Sequence, residues 1–230
     1  MRKIAIITAR GGSKRIPNKN RKLFLGKPIL QYSIEAAIQA DIFDEVMVST
    51  DDTQIAKLAI EAGAKVPFYR SEKTANDYAT TADVIEEVLA CYQEKGQDYE
   101  EACCIYPTAP FVTPLRLQEA MTHLETLHAE AVMPVVSFSF PPQRCVVIRE
   151  GELQARWPEH MAARSQDLEP YYHDAGQFYA IRVSAFRQQH KMIMTHTLPL
   201  ILSEMEVQDI DTEEDWRMAE LKYSLLHPDK

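Results

Sequence analysis

No apolar stretch in this 230-residue chain approaches the length needed to cross a bilayer. The first apolar run, Ile4-Ala5-Ile6-Ile7, meets Arg10 too soon for a secretory leader, so the cytoplasm is the expected setting. Cysteine is scarce. The four residues Cys91, Cys103, Cys104 and Cys145 fit reduced thiols, and Cys103 and Cys104 sit in an apolar run that reads as core. There is no C-x-x-C or H-E-x-x-H pattern, and His123 and His128 share no tight helical face, so a structural zinc site is not expected. Two phosphate-binding signatures are also missing. Ser13-Lys14-Arg15 breaks the P-loop pattern, and Gly11-Gly12 lacks the third glycine of the dinucleotide fingerprint. Positive charge is in deficit, with a formal net charge of −9, which argues against a nucleic-acid coat or a membrane-surface patch. No repeat, low-complexity tract or long linker divides residues 1–230, so one domain is expected.

What the chain does carry is a local basic cluster. Ala9-Arg10-Gly11-Gly12-Ser13-Lys14-Arg15-Ile16-Pro17-Asn18-Lys19-Asn20 follows directly on an apolar, β-branched first strand. Arg10, Lys14, Arg15, Lys19 and Arg21 crowd into twelve residues. Glycines let backbone N–H groups approach an anion closely. A phosphate-binding loop at the carboxyl end of a first parallel strand is one reading, and a small polyanion such as a nucleoside triphosphate is its natural ligand. A solvated basic loop is the other.

The rest of the chain alternates strands and helices. Helices are expected over 28–40, with Pro28 in the first turn, over 53–62 ending at Gly63, over 80–95, over 115–128 and from Thr212 onward. Strands are expected at 45–50, 102–106, 131–136, 177–183 and 198–202, with a short extended piece at 66–68. Pro134 suggests a bulge or edge position. Such alternation predicts an α/β fold, a mostly parallel sheet with helices on both faces. Residues 138–175 break the rhythm and read as a hairpin-bearing insertion with a turn near Glu150-Gly151-Glu152.

Phosphoryl or nucleotidyl chemistry at the loop calls for a divalent cation. Asp209 and Asp211 flank Ile210, and residues two apart on an extended segment point the same way, so the pair suits an oxygen shell shared with substrate phosphates. Capping of the next helix by Asp211 or Thr212 competes evenly with that reading. Asp51 and Asp52 are rival ligands whose simpler role is to cap the helix at 53.

These motifs resemble the CMP-sugar synthetases, which activate nonulosonic acids. The resemblance covers most of the chain: residues 9–20, Ser49-Thr50-Asp51-Asp52, Phe68-Tyr69-Arg70, Ala75-Asn76-Asp77, Thr80-Thr81, Pro107-Thr108-Ala109-Pro110, Arg164-Ser165-Gln166-Asp167 and Asp209-Ile210-Asp211-Thr212. Sialic acid enzymes usually carry Gln at the place of Tyr106 and Asn-Gly at the place of Ala175-Gly176. The runs 104–111 and 173–179 look instead like the pseudaminic acid cytidylyltransferases of flagellin glycosylation.

The resemblance implies a single Rossmann-like domain of the nucleotide-diphospho-sugar transferase type, with 138–175 as a dimerisation insertion. It implies CMP transfer from the substrate CTP to pseudaminic acid; N-acetylneuraminic, legionaminic and keto-deoxyoctonic acids are the alternatives. Remoter ones are a UTP- or GTP-dependent sugar-phosphate pyrophosphorylase and a nucleotide-binding module without turnover. Lys14 and Arg10 would grip the triphosphate, with Ala9, Gly11, Gly12 and Ser13 as loop contacts. Lys19 would polarise the α-phosphate or the leaving group, and Asn20, Arg70, Asp77 and Thr80 would surround the nucleotide. Asp209 and Asp211 would hold Mg²⁺ or Mn²⁺. Arg164 would pair with the sugar carboxylate and Gln166 belongs to the same element. Gln177, Tyr179 and Tyr106 are sugar-side candidates, the tyrosines equally readable as packing. A homodimer with a shared active site is implied.

Overall fold

The computed structural model describes residues 1–13 and 15–228. Its elements in chain order are β1 (Lys3–Thr8), β2 (Leu23–Phe24), β3 (Lys27–Pro28), α1 (Ile29–Gln39), β4 (Glu45–Ser49), α2 (Thr53–Glu61), α3 (Glu72–Ala75), α4 (Thr81–Glu94), β5 (Glu101–Ile105), α5 (Pro114–Thr126), β6 (Ala131–Ser137), β7 (Val146–Arg149), β8 (Glu152–Ala155), β9 (Tyr172–Asp174), β10 (Phe178–Arg182), α6 (Val183–Gln189), β11 (Thr197–Leu202) and α7 (Glu213–Leu226). The main sheet runs β11-β6-β10-β5-β1-β4, with β9 added against β6. Parallel pairing joins β1 to β4 and β5, and β6 to β11. The exceptions are β10, antiparallel to β5 and β6, and β9, antiparallel to β6.

Strand β1 shows why the sheet is sandwiched. Its residues alternate between faces. Ala5 and Ile7 pack with Leu30 and Ile34 of α1, Ile55 of α2 and Leu117 of α5. Ile4 and Ile6 pack on the other side with Ile85 and Val88 of α4 and Phe186 of α6. Both faces are covered, which is why β1 reads as a continuous apolar run. Helix α7 is held apart from the sheet by an aromatic cluster. Phe24 meets Tyr32, Trp216 and Tyr223 edge-on at 5.4, 5.7 and 5.6 Å. This cluster seats the start of α7, and with it residues 209–212, beside the basic loop.

Several local expectations need correction. Pro28 precedes α1, in a two-residue ladder with Leu23. The short extended piece is anchored one residue earlier, by the bridge of Lys65 to Met47. Pro134 lies at neither a bulge nor an edge: it pairs in register with Leu200 of β11. Its missing N–H does no harm because the partner on the other side changes there. Strand β10 pairs as far as Val132, β9 starts at Val135, and the Pro134 carbonyl accepts Ala175 N at 3.0 Å in the gap. The hairpin of the 138–175 segment is β7–β8, a separate two-stranded sheet. Glu150 and Gly151 both take positive φ, as a tight hairpin turn demands. Phe140, Val146, Ile148 and Leu153 are exposed there.

At the opposite end of β5, Glu101 is fully buried. Arg182 lies 3.4 Å away, and neither carboxylate oxygen has a hydrogen bond of ordinary geometry. Burial, then the nearby Glu125, pushes the Glu101 carboxyl above its usual range. A carboxyl raised by folding contributes stability at low pH that is lost as pH climbs through its folded value. Glu101→Gln removes that loss. Arg182 keeps its bonds to the carbonyls of Ala129 and Leu124. The variant is expected to melt about 2–4 °C above the parent at pH 7–8. The gap should close as the pH falls into the ordinary carboxylate range, and an equal gap at every pH would refute the electrostatic account.

Candidate active site

The loop after β1 is bolted down over its first three residues. Ala9 N donates to Ser49 O at 3.0 Å, and the buried Asn20 donates from Nδ2 to Arg10 O at 2.9 Å. Gly11 N donates to Asp51 Oδ1 at 2.8 Å. Gly11 is glycine for want of space: a Cβ there would stand 2.9 Å from Asp52 Cβ and Oδ2. Asp52 cannot retreat, because its carboxylate caps α2 through Gln54 N and Ile55 N at 2.7 and 3.0 Å. Gly12 has open space around it. Asp52 thus caps α2, as the simpler of its two readings has it, whereas Asp51 does not cap the helix and holds the loop instead.

Beyond this anchored stretch opens a cavity of about 370 Å³, lined by Thr8, Arg10, Gly12, Ser13, Arg15, Lys19, Asn20, Pro107 and Thr108. Of the residues assigned to the nucleotide from sequence, Arg10, Gly12, Ser13 and Asn20 meet here, together with Lys19. Lys14 lies outside the described residues. Ala9 and Gly11 sit behind the wall, and the Gly11 N–H is turned to Asp51 rather than into the cavity. Arg10 Nη1 donates to Asp77 Oδ1 at 2.7 Å and to Asn76 O at 3.3 Å. Arg70 is buried, with Nε and Nη2 donating to Ser49 Oγ and O at 3.1 and 2.7 Å, so it braces β4. Thr80 is the N-cap of α4, in a reciprocal box with Asp83.

The acidic pair lies next to the loop. Asp211 is ion-paired with Arg15 and lies 3.7 Å from Lys19 Nζ. Burial pushes the Lys19 ammonium down, and Asp211 and Asp209 oppose that shift. The cap of α7 is Thr212, whose hydroxyl accepts Asp215 N at 3.2 Å, while Asp215 accepts Thr212 N at 2.8 Å and Asp211 N at 3.1 Å. The Asp211 side chain is therefore free of capping duty and faces cations. Buried Ile210 anchors the segment under α7. Asp209 borders a different cavity, of about 310 Å³, with Ser137, Phe138, His173, Gln208 and Lys222, which shares no lining residue with the loop cavity. Among the described residues no cluster of three or more His, Cys, Asp or Glu is placed to hold a metal. Two carboxylates suit Mg²⁺, which takes one or two carboxylates and fills its shell with water and substrate phosphates.

The sugar-side candidates divide. Tyr106 and Tyr179 meet edge-on at 5.6 Å, and the Tyr106 hydroxyl lies 3.1 Å from Thr81 Oγ1. The Tyr179 hydroxyl donates to Asp174, whose other oxygen accepts Gly176 N at 2.8 Å. Burial and that carboxylate hold the Tyr179 phenol far above its usual range. Buried Gln177 donates to Glu206 O at 2.5 Å. Asp174 is a residue the sequence reading did not assign. Its signal is a carboxylate two residues before a turn glycine and five before a buried tyrosine. Arg164 pairs with Asp167 of its own turn at 2.7 and 3.1 Å, and Gln166 borders a 440 Å³ cavity within the insertion. Neither borders the loop cavity.

The chain is 38% identical to the pseudaminic acid cytidylyltransferase of Campylobacter jejuni, over 99% of this chain and 98% of that one. It is 34% identical to the CMP-N,N'-diacetyllegionaminic acid synthase of Legionella pneumophila, over 96% and 95%. A solved CMP:2-keto-3-deoxy-manno-octonic acid synthetase complexed with CTP shares its fold, with a TM-score of 0.70 at 18% identity over 98% of this chain and 100% of that one. Residues 4–220 match the family described as Cytidylyltransferase, and the chain belongs to that family of nucleotidyltransferases.

Proposed function

We propose that this enzyme transfers CMP from CTP to the anomeric hydroxyl of pseudaminic acid. The observation that carries the reading is the end-to-end agreement with the pseudaminic acid enzyme of Campylobacter jejuni. The adjacency of Tyr106, Tyr179 and the 174–177 turn supports it. The two departures from the sialic acid pattern, Tyr106 and Ala175-Gly176, belong to this one hydrogen-bonded unit.

In this reaction the sugar oxygen attacks the α-phosphorus, the bond to the β-phosphate oxygen breaks, pyrophosphate leaves, and the hydroxyl proton passes to solvent. Most of the protein's task is to orient two anions that repel each other and to neutralise developing charge. Arg10 and Lys19 face the loop cavity and supply positive charge there; Lys14 is assigned to the triphosphate with them. Asn20 and Asp51 hold the loop so that Gly12 and Ser13 present their backbone. Asp209 and Asp211 are the ligands for Mg²⁺ or Mn²⁺. When bound, that ion withdraws charge from phosphate oxygens and acidifies the attacking hydroxyl. Thr81, Tyr106, Tyr179 and Asp174 form one mutually contacting group, which is assigned to the sugar.

The exposed apolar side chains of the 138–175 insertion support a homodimer. In that dimer Arg164 and Gln166 serve the neighbouring subunit's sugar carboxylate, because in their own chain they stand away from the loop cavity. The cytoplasm is the inferred setting. Among the described residues no helix is long and apolar enough to cross a membrane. The product is assigned to flagellin or surface-glycan glycosylation.

The test is pyrophosphate release from CTP and Mg²⁺ with pseudaminic, legionaminic and N-acetylneuraminic acids offered in parallel, on protein whose mass is read by sedimentation. Turnover is expected with pseudaminic acid and from a dimer. Turnover only with another acid would keep the chemistry and overturn the sugar. No release with any acid would overturn the reaction, and an active monomer would overturn the shared site.

A further inference from the structure

Asp211 carries two of the chain's own cations. Lys19 reaches it from inside the loop cavity and Arg15 from its rim. The two cations differ in freedom. The Lys19 side chain is 17% exposed and walled in, whereas Arg15 is 69% exposed. An exposed arginine gives up considerable rotamer freedom to hold one partner, and isolated surface pairs rarely sustain it. Here the partner is the part-buried Asp211, the exposed Asp209 adds its charge nearby, and the mostly enclosed Lys19 ammonium feels both. Among the described residues Lys19 and Arg15 are the cations that meet Asp211, and the guanidinium adds to the charge that Lys19 sets against the two carboxylates. Arg15 in contact with Asp211 Oδ2 competes with a divalent cation for that oxygen, because like charges at such distances repel, whereas Lys19 stands off at 3.7 Å from Oδ1. The more exposed Arg15 is the freer of the two to leave. Once displaced, Arg15 remains on the rim of the same cavity, where an incoming polyphosphate is the new concentration of negative charge. Guanidinium forks match phosphate oxygens as well as carboxylate oxygens.

We propose that Arg15 is a positioning residue that stands on Asp211 in place of the divalent cation and transfers to the phosphates when nucleotide and metal enter, so that the metal is taken up with CTP rather than before it. This rests on the assignment of Asp209 and Asp211 as metal ligands. It explains why the basic segment carries a cation at 15, past the anchored residues 9–11. It also makes a prediction with two opposite signs in one variant. Arg15→Gln removes the competitor for metal and a ligand for phosphate together.

The experiment titrates Mn²⁺ into the intact protein and reads free Mn²⁺ by electron paramagnetic resonance, without and with CTP. Parent, Arg15→Gln and Asp211→Asn are compared, the last setting the baseline for Mn²⁺ bound by CTP in solution. CTP binding is measured separately in chelator by equilibrium dialysis. Arg15→Gln is expected to bind Mn²⁺ without nucleotide about 3- to 10-fold more tightly than the parent, and CTP without metal about 3- to 10-fold more weakly. Unchanged or weaker Mn²⁺ binding by Arg15→Gln, with binding abolished in Asp211→Asn, would overturn the role of Arg15 and leave the metal site standing. Parent and Asp211→Asn binding Mn²⁺ alike, with and without CTP, would remove the metal site and the proposal together. The exposure of Arg15 predicts an unchanged melting temperature for Arg15→Gln, so a folding defect does not obscure the comparison.

Discussion

Replacing Asp211 by asparagine is expected to slow CMP transfer by about 10²–10³-fold while leaving the fold intact. The substitution keeps the size of the side chain and removes only its charge. Asp211 does not cap α7, since Thr212 and Asp215 do that between themselves, so helix stability is untouched. Its carboxylate faces Lys19 and Arg15, the cations of the loop that the proposal assigns to the phosphates. Thr212→Ala is the matching control. It should cost about 1 kcal/mol of stability through the lost cap and spare the chemistry. Pyrophosphate release under saturating CTP and sugar, read beside thermal melting, separates the two. A rate for Asp211→Asn within tenfold of the parent would exclude Asp211 from the catalytic machinery.

The second large effect belongs to a glycine. Gly11→Ala would drive a methyl group to 2.9 Å from Asp52, which is tied to the first turn of α2. Either the loop shifts or the cap breaks. Both outcomes displace Asp51 and the loop it restrains, and overpacking of this kind costs about 1–3 kcal/mol. A displacement of about 1 Å at a positioning element is enough to cost about 10²-fold in rate. Gly11→Ala is therefore expected to lose melting temperature and kcat/KM for CTP together. Gly12→Ala, with no atom of the other described residues beyond its chain neighbours within 4 Å of its new methyl, is expected to keep its melting temperature. Equal melting temperatures for the two variants would show that Asp52 yields and that the close approach is not a constraint.

Much of this was legible along the chain. The apolar β-branched run of β1, the cap and acidic first turn of α7, the stop at Gly63 and the buried pair Cys103-Cys104 are local signals, and each is where residue type and period place it. Elements of a few residues escaped: β2, β3, β9 and α3 are too short for periodicity to register. So did the seven-residue α6. The reversed direction of β10 escaped as well. Direction leaves no mark in a strand's own sequence, because a buried strand reads the same whether its neighbours run with it or against it.

The same division runs through the site. Local sequence determined the kinds of group present: a glycine-bearing cationic loop directly after a strand, two aspartates around an apolar residue, and a capped helix behind them. Tertiary structure decided which partner each group meets. Asp51 takes the N–H of Gly11 from 40 residues away, and Asp211 meets Arg15 across 196 residues. Tyr106 and Tyr179 come together because β5 and β10 lie side by side. Propensity, capping and hydrophobic period act over a few residues and are written where they act. Charge pairing and close approach act through space, and only the packed sheet brings the ends of β1, β4 and β5 and the start of α7 to one place.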